Sequence, residues 1–464
     1  MAEPLWTCDD LLAATAGRLD GVAFAAAGVS IDTRTLEPGD LFVALAGERD
    51  GHEFAAAALT RGAAGVLAAR PVGGPAVLVD DTLKALEALG GAARRRAAGA
   101  RRGAVTGSVG KTSVTQAIRA GLVRAGHAHA SVKSYNNHIG VPLTLARMPR
   151  DTLRAVFEIG MNHADEITPL VRMVEPHAVA ITTVAQAHIE NFADGEAGVA
   201  RAKAEIFAGL APGGRAVLNA DNRWFEFLAG AAKAHRAEVL AFGSGDACAA
   251  QLLNFRLEAG GARVEARLRG VPISFALRQT GSHWGLMSLA ALLMMEELGV
   301  ASDDALAALA AFEPLEGRGA ERQVEIAGGA FALIDESYNA NPASVAAALR
   351  TLGLKPARRR IAVLTDMLEL GEDSPAYHAG LAAEIEAAKV DLVFCAGPMM
   401  KSLFEALPPT RQGGYAESAA ALAPLLTRAV EPGDVVMVKG SRDSHAKALF
   451  EALSGLASRS GEAA

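Results

Sequence analysis

The chain has 464 residues, 51% hydrophobic and 21% charged, with a formal net charge of −7. That length exceeds the ~250–300 residues at which a single core stops growing, so two or three domains are expected. An acidic balance argues against a nucleic-acid partner, whose binding surface is basic, and the cluster Arg94-Arg95-Arg96 with Arg101-Arg102 reads as a solvated helix end. Cys8, Cys248 and Cys395 are too few and too widely spaced for a disulfide framework or a zinc site, which suits a reducing compartment. The opening Met1-Ala2-Glu3-Pro4 lacks the basic-then-apolar form of a signal peptide. No apolar run reaches the ~18 residues of a membrane span. These features lead us to expect a cytoplasmic protein with no membrane insertion; we expect a monomer, a state the residues themselves do not encode.

Residues 1–81 carry short β-prone runs at Val29–Arg34, Asp40–Leu45, Gly65–Leu67 and Ala76–Val79, with a helix over Glu53–Arg61. Residues 82–314 open on an alanine-rich helix. It leads into Ala104-Val105-Thr106-Gly107-Ser108-Val109-Gly110-Lys111-Thr112-Ser113. Here a short apolar run meets two glycines, a lysine and a hydroxyl residue at the start of a helix-compatible segment. Glycines let backbone N–H groups wrap a phosphate chain, and the helix adds its positive N-terminal end. Lys111 can reach the terminal phosphates and Thr112 can ligate Mg²⁺. The fully spaced phosphate-loop pattern asks for glycine at 105, where this chain has Val105. A glycine turn with a surface lysine would satisfy the shorter pattern too, but the strand–turn–helix order favours ATP or GTP. Further strands are expected at Ala155–Ile159, Ala178–Val184 and Ala216–Asn219, with helices at Asp165–Val174 and Gly198–Leu210. Such alternation predicts a parallel sheet covered on both faces, with ligands at the carboxyl ends of its strands.

Two side chains there point to chemistry. Glu158 ends an apolar strand, where a carboxylate has little reason to stand unless it is paired or binds metal. His188 follows the strand Ala178–Val184 and faces the same end of the sheet, although a hydrogen-bonded loop histidine would look the same. Lys203, on a helix, is by itself an ordinary lysine. Residues 315–464 repeat the alternation, with strands at Phe331–Ile334, Ile361–Leu364, Leu392–Ala396 and Val435–Val438. Polar groups follow these strands in Asp335-Glu336-Ser337, Thr365-Asp366 and Lys439-Gly440-Ser441-Arg442. Asp335-Glu336-Ser337-Tyr338-Asn339-Ala340-Asn341-Pro342 suits a loop that meets ribose and base at a helix start, or a capped turn alone. Arg318, between Gly317 and Gly319, could swing over a phosphate.

Several segments together resemble the Mur ligase superfamily: Thr106–Ser113, Tyr135–Thr144, Glu158–Asn162, Ala187–Phe192, Lys203–Ile206, Asp335–Pro342 and Thr365–Gly371. Asp32-Thr33-Arg34, Gly39–Phe42 and Asp50–Phe54 look like its UDP-sugar domain. The resemblance implies an α/β protein of three domains. These would be a small UDP-substrate domain (1–81), a central P-loop ATPase-like parallel-sheet domain (82–314) and a C-terminal Rossmann-like domain (315–464). It also implies an ATP-dependent ligase that joins D-alanyl-D-alanine to UDP-N-acetylmuramoyl-tripeptide through an acyl phosphate, in peptidoglycan synthesis. By the same resemblance Gly107, Ser108, Val109, Gly110, Lys111, Thr112, Ser113, Asn137, Asp335, Asn339 and Asn341 contact the nucleotide. Ser30, Asp32, Thr33, Arg34 and His52 contact the UDP-substrate. Lys111, His188, Lys203 and Arg318 serve catalysis. Thr112 and Glu158 hold one Mg²⁺, while His188 and a carbamylated Lys203 serve a second. Three positions depart from the family's pattern: Thr33 in place of serine, Thr365 in place of glycine, and Trp284 with Met287 in place of two asparagines. A ligase for another acid and amine, such as a folate polyglutamylating enzyme, shares the loop, but the N-terminal block argues against it. A nucleotide switch that forms no peptide bond would need neither His188 nor Lys203. Whether the tripeptide ends in diaminopimelate or lysine stays open.

Overall fold

A computed structural model describes residues 3–132, 134–258 and 260–457. Three main sheets form, each from its own stretch of chain. The first has five strands, in spatial order Arg18–Asp20, Ala76–Leu78, Gly65–Ala68, Asp40–Val43 and Gly28–Ser30, and only its first pairing is antiparallel. The strand expected over Val29–Arg34 stops at Ser30. Ser30 Oγ donates to the Asp32 carbonyl (3.1 Å) and the Asp32 carboxylate accepts the Arg34 N–H (2.9 Å), which folds Asp32-Thr33-Arg34 into a turn. The helix expected over Glu53–Arg61 is a 3₁₀ turn, Gly51–Phe54, running into the α-helix Ala55–Thr60.

Nine strands make the second sheet. Seven are parallel: Ala128–Ala130, Arg154–Glu158, Arg101–Thr106, Ala178–Ile181, Arg215–Asn219, Glu238–Gly243 and Ala250–Glu258. Gly261–Leu268 and Val271–Leu277 then extend it as an antiparallel meander, so the purely parallel sheet expected from sequence is corrected. The reason lies in side-chain alternation. Ala262, Val264, Ala266 and Leu268 are buried while Glu265 and Arg267 meet water, the pattern of a sheet covered on one face only. Helix Trp284–Glu297, buried along almost its whole length, packs with helix Lys111–Arg124 over the second apolar core. The chain passes from Arg154–Glu158 on one side of Arg101–Thr106 to Ala178–Ile181 on the other. That crossing makes a switch point at the carboxyl end of Arg101–Thr106, where a ligand crevice forms in open α/β sheets.

The third sheet runs Ala320–Ile326, Gly329–Glu336, Val435–Lys439, Arg360–Thr365, Leu392–Ala396 and Gln412–Ala416, parallel apart from its first hairpin. Separate apolar clusters cover its two faces. Polar ties seat the first sheet beside the second. Trp6 Nε1 donates to the Ala146 carbonyl (2.8 Å), Arg147 Nε to the Val29 carbonyl (2.6 Å), and the Arg96 guanidinium stacks 4.0 Å from the Trp6 ring centre. Among the described residues no helix is long and apolar enough to cross a membrane.

Candidate active site

The carboxyl ends of the second and third sheets face each other across a cavity of about 670 Å³. On the second-sheet side, Arg101–Thr106 runs into a loop that turns at Gly107 and Gly110 and starts the helix Lys111–Arg124. Gly110 caps that helix without a side chain, so its first N–H groups stay available to an anion. The loop is braced from Ala178–Ile181 and beyond. Ser108 N–H donates to the Thr183 carbonyl (2.8 Å), Thr182 Oγ1 to the Val109 carbonyl (2.6 Å), and Ser108 Oγ to the Ala185 carbonyl (3.0 Å). At Gly107, φ is +150° and an added Cβ would sit 1.9 Å from Thr182 Oγ1. Gly107→Ala is therefore expected to strain the loop by about 1–3 kcal/mol and to weaken ATP binding, measurable by calorimetric titration with ATP.

Ser108, Val109, Gly110, Lys111, Thr112 and Ser113 all line the cavity. Lys111 Nζ donates to the Gly107 carbonyl (2.8 Å). Burial pushes its amine down, as does Arg318, while Glu158 and Glu369 pull it back up. Glu158 is 1% exposed. Its Oε1 accepts from Asn136 Nδ2 (2.7 Å), but Oε2 is buried with no hydrogen-bond partner among the described residues. A buried carboxylate oxygen left unpaired is costly, and it fits a cation between Glu158 and the Thr112 hydroxyl. Among the described residues no three His, Cys, Asp or Glu side chains converge as a preformed metal cluster. Asn137 also faces the cavity, with its Oδ1 accepting the Gly140 N–H (2.9 Å).

His188 lines the cavity with its backbone in the left-handed region (φ +58°). Its Nδ1 lies 2.5 Å from Glu369 Oε2, contributed by the third sheet. Lys203 is 1% exposed and does not itself line the cavity. Burial, then the nearby Lys111 charge, holds its amine well below the usual lysine range.

The third-sheet wall brings Arg318, Glu336, Tyr338, Asn339, Asn341 and Lys439 to the same cavity. Arg318 rides a loop between Gly317 (φ +72°) and Gly319, with its guanidinium 4.0 Å from the Tyr338 ring centre. Tyr338 OH and Ser134 Oγ meet at 2.5 Å across the two sheets. Asp335 is placed behind this loop and not on the cavity wall. Its carboxylate accepts from Gly317 N–H (2.9 Å), Ser337 N–H (3.1 Å) and Ser337 Oγ (2.6 Å). Asn341 caps the helix Pro342–Gly353, accepting from Ser344 N–H (2.9 Å), and Asn339 Oδ1 accepts from Ala340 N–H (2.9 Å).

Ser30, Asp32, Thr33, Arg34 and His52 stand apart from this cavity on the first sheet. The Arg34 side chain is 85% exposed and pairs with Asp32. Both His52 nitrogens are engaged, Nε2 accepting from Ala69 N–H (2.8 Å) and Nδ1 facing Asp50 (2.6 Å), so the imidazole braces its loop. Four groups on the wall have no role in the sequence reading. Glu336 and Lys439 fall in polar segments that follow strands, while Glu369 lies only in the Thr365–Gly371 segment that carries the family resemblance. His283 sits at a helix start, where no residue pattern marks it, and its buried Nδ1 lacks a partner among the described residues.

Residues 105–295 match the Mur ligase middle domain and residues 322–442 the Mur ligase glutamate ligase domain. The UDP-N-acetylmuramoyl-tripeptide–D-alanyl-D-alanine ligase of Escherichia coli is 35% identical over 453 residues, covering 94% of this chain and 96% of that protein. The Bacillus subtilis enzyme of the same name is 33% identical, covering 89% and 90%. A crystal structure of MurF from Acinetobacter baumannii superposes with a TM-score of 0.85 at 28% identity, covering 97% of this chain and 99% of that one. With both Mur ligase domain models matched and a curated relative 35% identical over nearly the whole length, the chain belongs to the Mur ligase family.

Proposed function

We propose that the protein is an ATP-dependent ligase that joins D-alanyl-D-alanine to UDP-N-acetylmuramoyl-tripeptide, a cytoplasmic step of peptidoglycan synthesis carried out by the monomer. The carrying observation is that one cavity holds the phosphate loop, the unpaired Glu158 oxygen and Arg318 reaching in from the third sheet. In this reading residues 1–81 hold the uridine end of the substrate, 82–314 hold ATP, and 315–464 close over both. Arg34 stands in solvent where a diphosphate could meet it, with Ser30, Asp32 and Thr33 shaping its turn and His52 bracing the neighbouring loop.

The tripeptide's terminal carboxylate oxygen attacks the γ-phosphorus. The bond from that phosphorus to the bridging oxygen breaks, and ADP leaves. The amine of the dipeptide then adds to the carbonyl of the acyl phosphate. Collapse of the tetrahedral intermediate expels inorganic phosphate, and the nitrogen loses a proton. Two anions must meet in the first step, and Lys111 and Arg318 lower that barrier by placing positive charge where negative charge gathers. Thr112 and Glu158 would hold Mg²⁺, which when bound neutralises charge on the β- and γ-phosphates. His188 and Lys203 would serve a second ion. For Lys203 that requires its neutral amine to add to carbon dioxide and release a proton, giving an anionic carbamate. A lysine buried without a carboxylate partner among the described residues suits that reaction, because burial disfavours the charged amine and so shifts it toward the nucleophilic neutral form. Asn339 and Asn341 line the wall that a nucleotide on the phosphate loop would face, and Asp335 contributes by holding the Gly317-Arg318 turn.

With oxygen-18 in the terminal carboxylate of the tripeptide, one labelled oxygen is expected in the released phosphate, and only when D-alanyl-D-alanine is present. Label that stays wholly in the peptide product would overturn the acyl-phosphate route. Phosphate release indifferent to the dipeptide would favour a nucleotide switch. Running the assay with tripeptides ending in diaminopimelate and in lysine identifies the substrate by product mass.

A further inference from the structure

Glu369 has no part in the reaction as written, yet it reaches into the site from the opposite domain. It follows the strand Arg360–Thr365 and has a left-handed backbone (φ +63°), as does His188 opposite (φ +58°). Two non-glycine residues held in that region, facing each other, are strain that the surroundings must enforce. The enforcement is visible on the Glu369 side. Met367 N–H donates to Nε2 of the fully buried His378 (3.0 Å), whose Nδ1 bonds the Ser374 carbonyl (2.7 Å). Leu368 N–H donates to Ser441 Oγ (2.9 Å), and Met400 N–H donates to Asp366 Oδ1 (2.9 Å). The N–H groups of Met367 and Leu368 and the Asp366 carboxylate, just before Glu369, are thus anchored to different parts of the third domain. On the other side, the turn Ile189–Asn191 seats on this loop: Ile189 packs against the apolar cluster of the third domain, and Gly371 approaches Glu190 closely enough that an added Cβ would lie 3.6 Å from the Glu190 Cβ.

We propose that Glu369 is a positioning residue that acts through His188. With Oε2 at 2.5 Å the carboxylate makes a short ion-pair contact with Nδ1, which has no hydrogen bond of standard geometry among the described residues; the contact favours the proton on Nδ1 and leaves the lone pair of Nε2 on the far side of the ring. No hydrogen bond occupies Nε2 among the described residues. Because the carboxylate and the imidazole belong to different domains, His188 is oriented only while the two sheets face each other as they do here. Domain approach and completion of the site become one event, which protects a hydrolysable acyl phosphate from forming in an open cleft. This rests on the ligase reading for what His188 then serves, but the orientation itself does not.

The test uses the full chain with labelled histidine nitrogens, His188 being assigned by difference against His188→Gln. In the unaltered protein His188 is expected as the Nδ1–H tautomer, and in Glu369→Ala as a mixture. Glu369→Ala is expected to lower kcat by about 10- to 100-fold, the usual effect of removing a partner behind a ligating histidine, with little change in KM for ATP. Glu369→Gln, whose amide oxygen still accepts from Nδ1–H, should recover most of the loss and retain the tautomer. An unchanged tautomer in Glu369→Ala would overturn the proposal, as would a kcat equal to the unaltered protein or a Gln variant no better than Ala. A correctly folded unaltered protein with no dipeptide-dependent phosphate release would instead overturn the ligase reading, while the tautomer still reports on Glu369.

Discussion

Lys111→Ala is expected to abolish dipeptide-dependent ADP release, with a loss on the order of 10³-fold or more, since removing even a single neutral oxyanion donor costs ~10²–10³ in kcat. The physical reason is that the reaction brings a carboxylate against a triphosphate, and Lys111 is the cation at the base of the phosphate loop. It is held there by its own bond to the Gly107 carbonyl and by the pull of Glu158 and Glu369. Alanine leaves the loop's glycines and the helix N-terminus intact, so the nucleotide should still find its backbone cradle while the chemical step stalls. The measurement is ADP release with both co-substrates, beside a thermal melt that reports folding. Turnover close to that of the unaltered chain would remove Lys111 from the chemistry.

Lys203→Ala should show a comparable loss with a different signature. A side chain 1% exposed, with no carboxylate or hydrogen-bond acceptor placed against its amine among the described residues, contributes little stability as a free cation. Breaking a buried ion pair costs ~3–5 kcal/mol because a lone charge is left behind; here no such partner is orphaned, so the melting temperature should fall little. Activity should nevertheless collapse if a carbamate at this position serves the metal. Small carboxylates such as acetate or formate should then restore part of it, since they can occupy the vacated space with an equivalent anionic oxygen. Isotopically labelled bicarbonate should give a carbamate carbon signal in the unaltered chain and none in the variant. Full activity in the variant, or loss with neither rescue nor a carbamate signal, would set the carbamate aside.

Several features were legible from residue order because they depend on neighbours in sequence. The phosphate loop is one: glycines at 107 and 110, with the strand before and the helix after, dictate a local backbone whatever the rest of the chain does. Glu158 is another, since a carboxylate closing an apolar strand is anomalous on local grounds alone. The alternation of strands and helices gave away the layered architecture in the same manner. The antiparallel strands Gly261–Leu268 and Val271–Leu277 were not read, although the first alternates buried apolar with exposed charged positions; that alternation marks a strand but not its antiparallel pairing, which tertiary packing decides. The expected strand at Val29–Arg34 also failed past Ser30, because side-chain bonds from Ser30 and Asp32 competed with the sheet ladder.

By itself, then, the order of residues determined the class of fold, the nucleotide loop and the family to which the chain belongs. Only the tertiary structure decided which polar groups share a cavity and which do not. Asp335 and Glu336 are adjacent in the chain, yet one carboxylate braces the Arg318 loop while the other faces the cavity, since successive side chains of a strand point to opposite sides. Glu369 meets His188 across 181 positions of sequence, and Tyr338 meets Ser134 across 204, contacts that no local pattern encodes. They arise because two independently folded sheets present their carboxyl ends to each other, a relation set by packing between domains.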